Sequence, residues 1–339
     1  MRAKKKVSLQ DIAKEAEVSI ATVSRVINQK SSVKAETRER VLKILNENAY
    51  PMPTVTAAPD DSSTIVVFVP DFANPFTSVV LDGIRKSAKL NRYNTVMIVA
   101  KEADHDSLED YLDLIRDVNA KGIISVAALP NETVACSLNQ HIPTVMCSEY
   151  IASKNVTYVS VDNYKAAFDA TDYLIQSGRQ RIVHFNSTLN HQYAREREAG
   201  FRDALEQRQL AVDESLLLHL PRIHYQLALS QIEFLLESHP DIDGVFASSD
   251  IFAAATVEAA LKLGRKVPDD LSIIGFDDIE IATIITPKLT TVHQPSFELG
   301  FQACELLKEK IASPQIDAKQ IMLYTNLVIR ETTSVNPSS

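Results

Sequence analysis

Near its start the chain carries three short stretches whose apolar residues recur at helical spacing. Leu9, Ile12, Ala13 and Ala16 follow the i, i+3, i+4, i+7 pattern of a single helix face. The preceding Ser8-Leu9-Gln10-Asp11 is a capping box, with an acid three residues after a serine. Glu17-Val18-Ser19 predicts a short turn, and Ser19 is the expected N-cap of a second helix running to about Asn28. On that helix Val23, Val26 and Ile27 form the inward stripe. Ala21, Ser24, Arg25 and Asn28 fall opposite, with Ile20 at the exposed leading end. A third helix over about 35–48 is predicted from Val41, Ile44, Leu45 and Ala49. Three short helices of this kind predict a helix-turn-helix whose second helix enters a DNA major groove N-terminus first.

Beyond residue 64 the pattern changes to short apolar runs alternating with helical stretches. Runs at 65–69, 96–99, 123–126, 144–146 and 158–161 predict strands, with helices at 76–89, 107–119 and 132–139. The rhythm recurs with strands at 182–185, 244–247, 271–275 and 289–292. This alternation predicts an α/β body of parallel, doubly wound sheets, long enough for two. Between head and body, residues 51–64 hold Pro51, Pro53 and Pro59 among several Ser and Thr, the signature of a linker. The expected division is a head at 1–50, the linker at 51–64, a body at 65–332 and a tail at 333–339.

Charge sharpens the division. Residues 1–50 hold eleven Lys/Arg against six Asp/Glu, whereas the whole chain of 339 residues has a net charge of −9. A basic head of +5 on an acidic body of −14 predicts that only the head meets a polyanion. No apolar run approaches the roughly 20 residues needed to cross a bilayer. The basic N-terminus leads into no apolar export segment, so a soluble, cytoplasmic protein without membrane contact is expected. Cys136, Cys147 and Cys304 form no CxxC pair and are expected to be free thiols. No phosphate-binding loop, GxGxxG, GxSxG or HExxH motif is present, so neither enzymatic turnover nor a cofactor or metal is expected.

Two blocks carry a resemblance. Ser8-Leu9-Gln10-Asp11-Ile12-Ala13 and the run Val18-Ser19-Ile20-Ala21-Thr22-Val23-Ser24-Arg25-Val26-Ile27-Asn28 resemble the N-terminal signature of the lactose/galactose-repressor (LacI/GalR) family. In the body, Asn74-Pro75-Phe76, Val161-Asp162-Asn163, Arg197-Glu198-Ala199-Gly200-Phe201, Ser249-Asp250 and Gly275-Phe276-Asp277-Asp278 match family motifs in order. The resemblance implies a periplasmic-binding-protein-like body of two lobes joined by three crossovers, with an effector cleft between them. It also implies a homodimer on a pseudo-palindromic operator. Val69-Pro70-Asp71 and Val145-Met146-Cys147-Ser148-Glu149-Tyr150 are similar to the cytidine-repressor branch, which implies a nucleoside effector and the cyclic-AMP receptor protein as a further partner. A pentose or hexose effector is the alternative. The linker departs from the family: no Leu lies between Leu45 and Leu81, and Pro53 and Pro59 leave little room for a hinge helix.

By that resemblance Ile20, Ala21 and Arg25 face base edges. Arg25 is placed for a bidentate contact to guanine, and Ile20 and Ala21 for apolar contact with a thymine methyl. Thr22, Ser24, Asn28 and Lys34 are placed for phosphates, with hydrogen bonding at the helix end as the lesser alternative for Thr22 and Ser24. In the body, Arg197 and Asp277 are candidates to grip ligand hydroxyls by charge-assisted hydrogen bonds, or they pair with each other. Phe76 is a candidate stacking face or core residue, and Asp250 a ligand contact or a helix cap. Glu149 is either an acceptor for an exocyclic amine such as cytosine N4 or an exposed loop acid. Thr77, Tyr193 and Ser249 complete the expected effector site, and His191 is expected to be solvated and outside it.

Overall fold

The structure, a computed structural model, describes residues 8–27, 35–48, 63–70, 72, 74–100 and 108–334. The expectations placed on Asn28, Lys34, Ala49, Asp71, the linker at 51–62 and the end of the tail lie outside the described residues. The chain divides into two compact units, Met1–Ser62 and Ser63–Ser339.

The first unit holds helices α1 (Leu9–Glu15), α2 (Ile20–Ile27) and α3 (Ala35–Glu47). The capping box of α1 is complete: the Asp11 amide donates to Ser8 Oγ at 3.3 Å, and the Ser8 amide to Asp11 Oδ2 at 2.9 Å. Two orphan amides of the first turn are thereby satisfied within the box. The turn after α1 closes with the Val18 amide on the Ala13 carbonyl at 3.0 Å, and with Glu17 at φ 56°. That is a Schellman closure with glutamate at the left-handed position glycine usually takes. Ile12, Ala16, Val23, Val41 and Leu45 form the core of the unit, each with no exposed surface.

The second unit consists of two α/β lobes. In the first, β1 (Thr64–Val69), α4 (Pro75–Leu90), β2 (Asn94–Val99), α5 (Leu108–Asp117), β3 (Gly122–Ser125), α6 (Glu132–His141), β4 (Thr144–Cys147) and β5 (Tyr158–Val161) follow in chain order. The chain then crosses to the second lobe. There it forms α7 (Asn163–Gln176), β6 (Ile182–Ser187), α8 (Gln192–Gln207), β7 (Leu217–Leu220), α9 (Tyr225–Ser238), β8 (Gly244–Ala247), α10 (Asp250–Lys262), β9 (Ser272–Asp277), α11 (Ile281–Ile284) and β10 (Thr290–His293). It returns through α12 (Ser296–Ala312) to β11 (Gln320–Leu323), then crosses a third time to β12 (Asn326–Val328). The sheets run β2-β1-β3-β4-β5-β11 and β7-β6-β8-β9-β10-β12, and helices cover both faces of each.

The first sheet is parallel throughout, whereas β12 runs antiparallel to β10 at the edge of the second. The difference from an all-parallel expectation has a topological cause. The first two crossovers pass through helices, α7 and α12, which reverse the chain before its next strand. The third passes through Tyr324 and Thr325 alone, so the chain enters the second sheet from the opposite end. Helix α12 closes against α4 because both are bare at the crossing: a Cβ on Gly83 would lie 2.0 Å from the Phe297 carbonyl oxygen, and one on Gly300 1.9 Å from that of Val80.

In both sheets strand order reverses beside the first strand, between β1 and β3 and between β6 and β8. Ligands in open α/β sheets bind outside the carboxyl ends of strands at such switch points. Pro70, Val126, Ser187 and Ser248, which follow or end these four strands, all line one cavity of about 390 Å³ between the lobes.

Candidate DNA interface and effector cleft

On the head, α2 buries Val23 and Val26 and leaves Ile20 and Ala21 exposed at its N-terminal end. Ser19 caps the helix, accepting from the Thr22 amide at 3.1 Å, and its hydroxyl lies 2.9 Å from that of Thr22. The Thr22 hydroxyl therefore has a partner in the free protein, and with Ser19 as the donor of that pair its own proton stays available to a phosphate. Ser24 is half-buried on the same helix. Arg25 belongs to α2, and its side chain lies outside what the structure describes.

In the body, six of the eight expected effector residues line the cavity: Phe76, Thr77, Glu149, Tyr193, Arg197 and Asp277. Asn74 caps α4, accepting from the Phe76 amide at 3.1 Å, and so sets Phe76 and Thr77 at the mouth of the first sheet. Phe76 also belongs to the core beneath α4, so it serves as both wall and core. Arg197, on α8, is fixed from several sides. It donates to Asn163 Oδ1 at 3.0 Å and to the Ser248 carbonyl at 2.6 Å, and its guanidinium lies 3.4 Å from the centroid of the Phe276 ring. Tyr193 covers it at 4.8 Å and hydrogen-bonds Ser187 through its hydroxyl at 2.6 Å.

Asp277 ends β9 at φ 114°, outside the regions most residues adopt. Its Oδ1 accepts from Gln294 Nε2 at 2.6 Å. Burial pushes its carboxyl up to about 7, against the pull of Arg197 and of hydrogen bonds from Gln294 and Ser249. The floor of the cavity is thus a buried guanidinium beside a carboxylate that titrates near neutrality. A ligand presenting vicinal hydroxyls suits it, because a hydroxyl both donates to the carboxylate and accepts from a cation. The Ser248 hydroxyl, on the same floor, is buried and has no partner among the described residues.

Ser249 and Asp250 do not line the cavity. The Ser249 side chain caps α10, accepting from the Ile251 amide at 3.2 Å. Asp250 is fully buried behind the site and braces the loop after β9: its Oδ2 accepts from the Ile279 amide at 2.8 Å, and its Oδ1 from the Thr291 hydroxyl at 2.5 Å. Burial, with Asp277 nearby, raises its carboxyl well above the usual range.

Glu149 is buried, and both of its oxygens are engaged across the cleft. Oε1 lies 3.1 Å from His191 Nδ1, and Oε2 accepts from the Gln192 amide at 3.2 Å. His191 is the N-cap of α8 but makes no capping bond of its own, so a carboxylate from the other lobe satisfies the helix end. Tyr150 adds a hydrogen bond to Glu196 on the same helix. His191 also stacks on Tyr193 and lines the cavity, contrary to the solvated position expected for it. Nothing local in the sequence signals this, since its partner lies 42 residues away in the chain. Gln294 and Ser187 were legible in principle: each ends or follows a strand at the cleft, the position that singled out Asp277.

Residues 8–51 match the bacterial regulatory protein lacI family, and residues 171–333 a periplasmic binding protein-like domain. The chain is 33% identical to the ribose operon repressor of Halalkalibacterium halodurans, over 98% of both chains. It is 30% identical to the HTH-type transcriptional repressor CytR of Escherichia coli, over 99% of this chain and 100% of that one. Among solved structures, a LacI family transcriptional regulator from Enterococcus faecium with bound ribose superposes with a TM-score of 0.71 at 28% identity, covering 80% of this chain and 98% of that one. The chain belongs to the LacI family of DNA-binding transcriptional regulators, and the resemblance read from its motifs holds across head and body. The similarity is shared between a sugar-operon repressor and CytR and does not single out the latter.

Among the described residues no helix is long and apolar enough to cross a membrane.

Proposed function

We propose that this protein is a cytoplasmic repressor whose operator binding is set by a ribose-bearing effector, a ribonucleoside such as cytidine, held in the cleft and released unchanged. The observation that carries the reading is the buried Arg197–Asp277 floor, suited to a vicinal diol, beneath the aromatic faces of Phe76 and Tyr193. The volume of about 390 Å³ leaves room for a base beside the sugar. Free pentose is the second reading. It is favoured by Glu149, whose two oxygens already serve α8, and by the similarity to a ribose operon repressor.

The head at 1–50 reads the operator through Ile20, Ala21 and Arg25, with Thr22, Ser24, Asn28 and Lys34 on phosphates. The linker at 51–64 joins it to the body at 65–332, and 333–339 form a tail. A homodimer places two heads on the half-sites of a pseudo-palindrome. Closure of the lobes around the effector biases that placement, and reciprocity requires effector and operator to alter each other's affinity by one factor. Cooperative binding beside the cyclic-AMP receptor protein belongs to the same proposal and is tested by footprinting with both proteins.

A thermal-shift screen against nucleosides, free bases, pentoses and hexoses tests the effector. A ligand at 100 times its dissociation constant stabilises by about 2.7 kcal/mol. A shift with nucleosides but not with free sugars supports the first reading. A shift with ribose alone replaces it with the second, and no shift with either removes the diol argument.

A further inference from the structure

The body is acidic, yet exposed cations gather at the edge where the chain enters it. Ser63 and Thr64 open the first strand, and their carbonyl oxygens accept from the amides of Asn94 and Lys121, both at 2.8 Å. Residues 94 and 121 therefore flank the point of arrival. At the end of α4, Arg85, Lys89 and Arg92 line a concave surface of about 480 Å³ together with Tyr93, Asn94 and Thr95. Asp82 holds Arg85 at 2.7 Å, but Lys89, Arg92 and Lys121 are exposed and have no acidic partner among the described residues. The neighbouring acids of α12 are taken: Glu305 by Lys308 and Glu309 by Lys319. In a parallel sheet all strand N-termini share one edge, so this basic surface lies opposite the effector cleft and is free when the cleft is full.

We propose that Lys89, Arg92 and Lys121 form a second DNA-binding surface, in which the body binds phosphates of the duplex that the head has engaged. Two unpaired cations on a concave surface, Lys89 and Arg92, with Lys121 across β1 on the same edge, suit a phosphate backbone, which contributes affinity without sequence discrimination. Fourteen residues separate Asn48, at the end of α3, from Ser63, so full extension limits their separation to about 50 Å. A duplex held by the head is thereby presented to this edge at high effective concentration.

The inference rests on DNA binding by the head, and the test keeps the two apart. The full-length chain is titrated onto a random-sequence duplex over a range of KCl concentrations, and the slope of log K against log salt is compared with that of Lys89→Gln/Arg92→Gln/Lys121→Gln. Each phosphate that is no longer neutralised reduces the slope by about 0.9, so the triple variant falls short of wild type by about 2 to 3. The charge-retaining Lys89→Arg/Arg92→Lys/Lys121→Arg keeps the original slope, as does Lys165→Gln/Lys262→Gln/Lys288→Gln on the other lobe. Should the triple variant not fold, Arg92→Gln alone shows a reduction of about 0.9. An unchanged slope overturns the proposal, as does an equal reduction in the other-lobe control, which reports net charge alone. Stabilisation by inorganic phosphate with an unchanged DNA slope also overturns it and leaves a small-anion site. A wild-type chain that binds no duplex removes the DNA-binding reading itself.

Discussion

Asp277→Asn separates what the cleft costs from what it does. The Asp277 carboxyl moves from an ordinary 3.8 to about 7 in the folded chain, with burial the largest cause. Between those values the folded chain holds a proton that the unfolded chain has released. Stability is therefore highest below about pH 4 for this group and is lost as pH rises through 7. At 1.36 kcal/mol per pH unit, the ionised carboxylate costs about 4 kcal/mol above neutrality. Asparagine keeps an oxygen for Gln294, tolerates a positive φ better than most residues, and relieves the like charge beside Asp250. The variant is thus more stable than wild type at pH 8, by up to about 4 kcal/mol, and its stability varies less between pH 5 and 8. Urea denaturation of both proteins across that range measures this. Effector binding moves the other way: removing a charge-assisted hydrogen bond worth about 1.5–3 kcal/mol weakens it by about 10- to 100-fold. In the wild type, effector affinity falls as pH drops below 7. A variant less stable than wild type at pH 8, or with the same pH dependence, refutes the argument.

The remaining predictions concern single side chains. Arg25→Ala weakens the cognate operator by about 1–3 kcal/mol and relaxes specificity at one base, measured by competition among operator variants; unchanged preference removes Arg25 from base reading. Glu149→Gln weakens cytidine more than uridine in calorimetry if the carboxylate accepts from the amine, whereas equal weakening leaves it as a brace between the end of β4 and α8. Glu17→Gly relieves a left-handed residue and stabilises the head by about 1 kcal/mol, slowing amide exchange in α1 and α2 several-fold; faster exchange contradicts this reading of the turn.

Much of the frame was legible because burial imposes periodicity. The fully buried strands β3, β4, β5, β6, β8 and β9 read as apolar runs within a residue or two of their bounds. The strands β7, β11 and β12 did not: they are half-exposed and lie at the ends of their sheets, so their short apolar runs at 216–218, 321–323 and 327–329 come with no burial pattern that separates them from loops. At the site, Arg197 and Asp277 were found from motif and strand-end position. The roles of Asp250 and His191 were not, because each depends on a partner distant in the chain: Ile279 and Thr291 for the first, Glu149 for the second. Sequence spacing reveals which residues share an element, and only the folded chain shows which elements share a residue.

The central claim is that one chain couples the cleft to DNA. An operator selected from a randomised pool, titrated with the full-length protein with and without cytidine, tests it most directly. The account predicts that saturating nucleoside changes operator affinity, and that operator changes nucleoside affinity by the same factor. A nucleoside that binds the cleft and leaves operator affinity unchanged contradicts it.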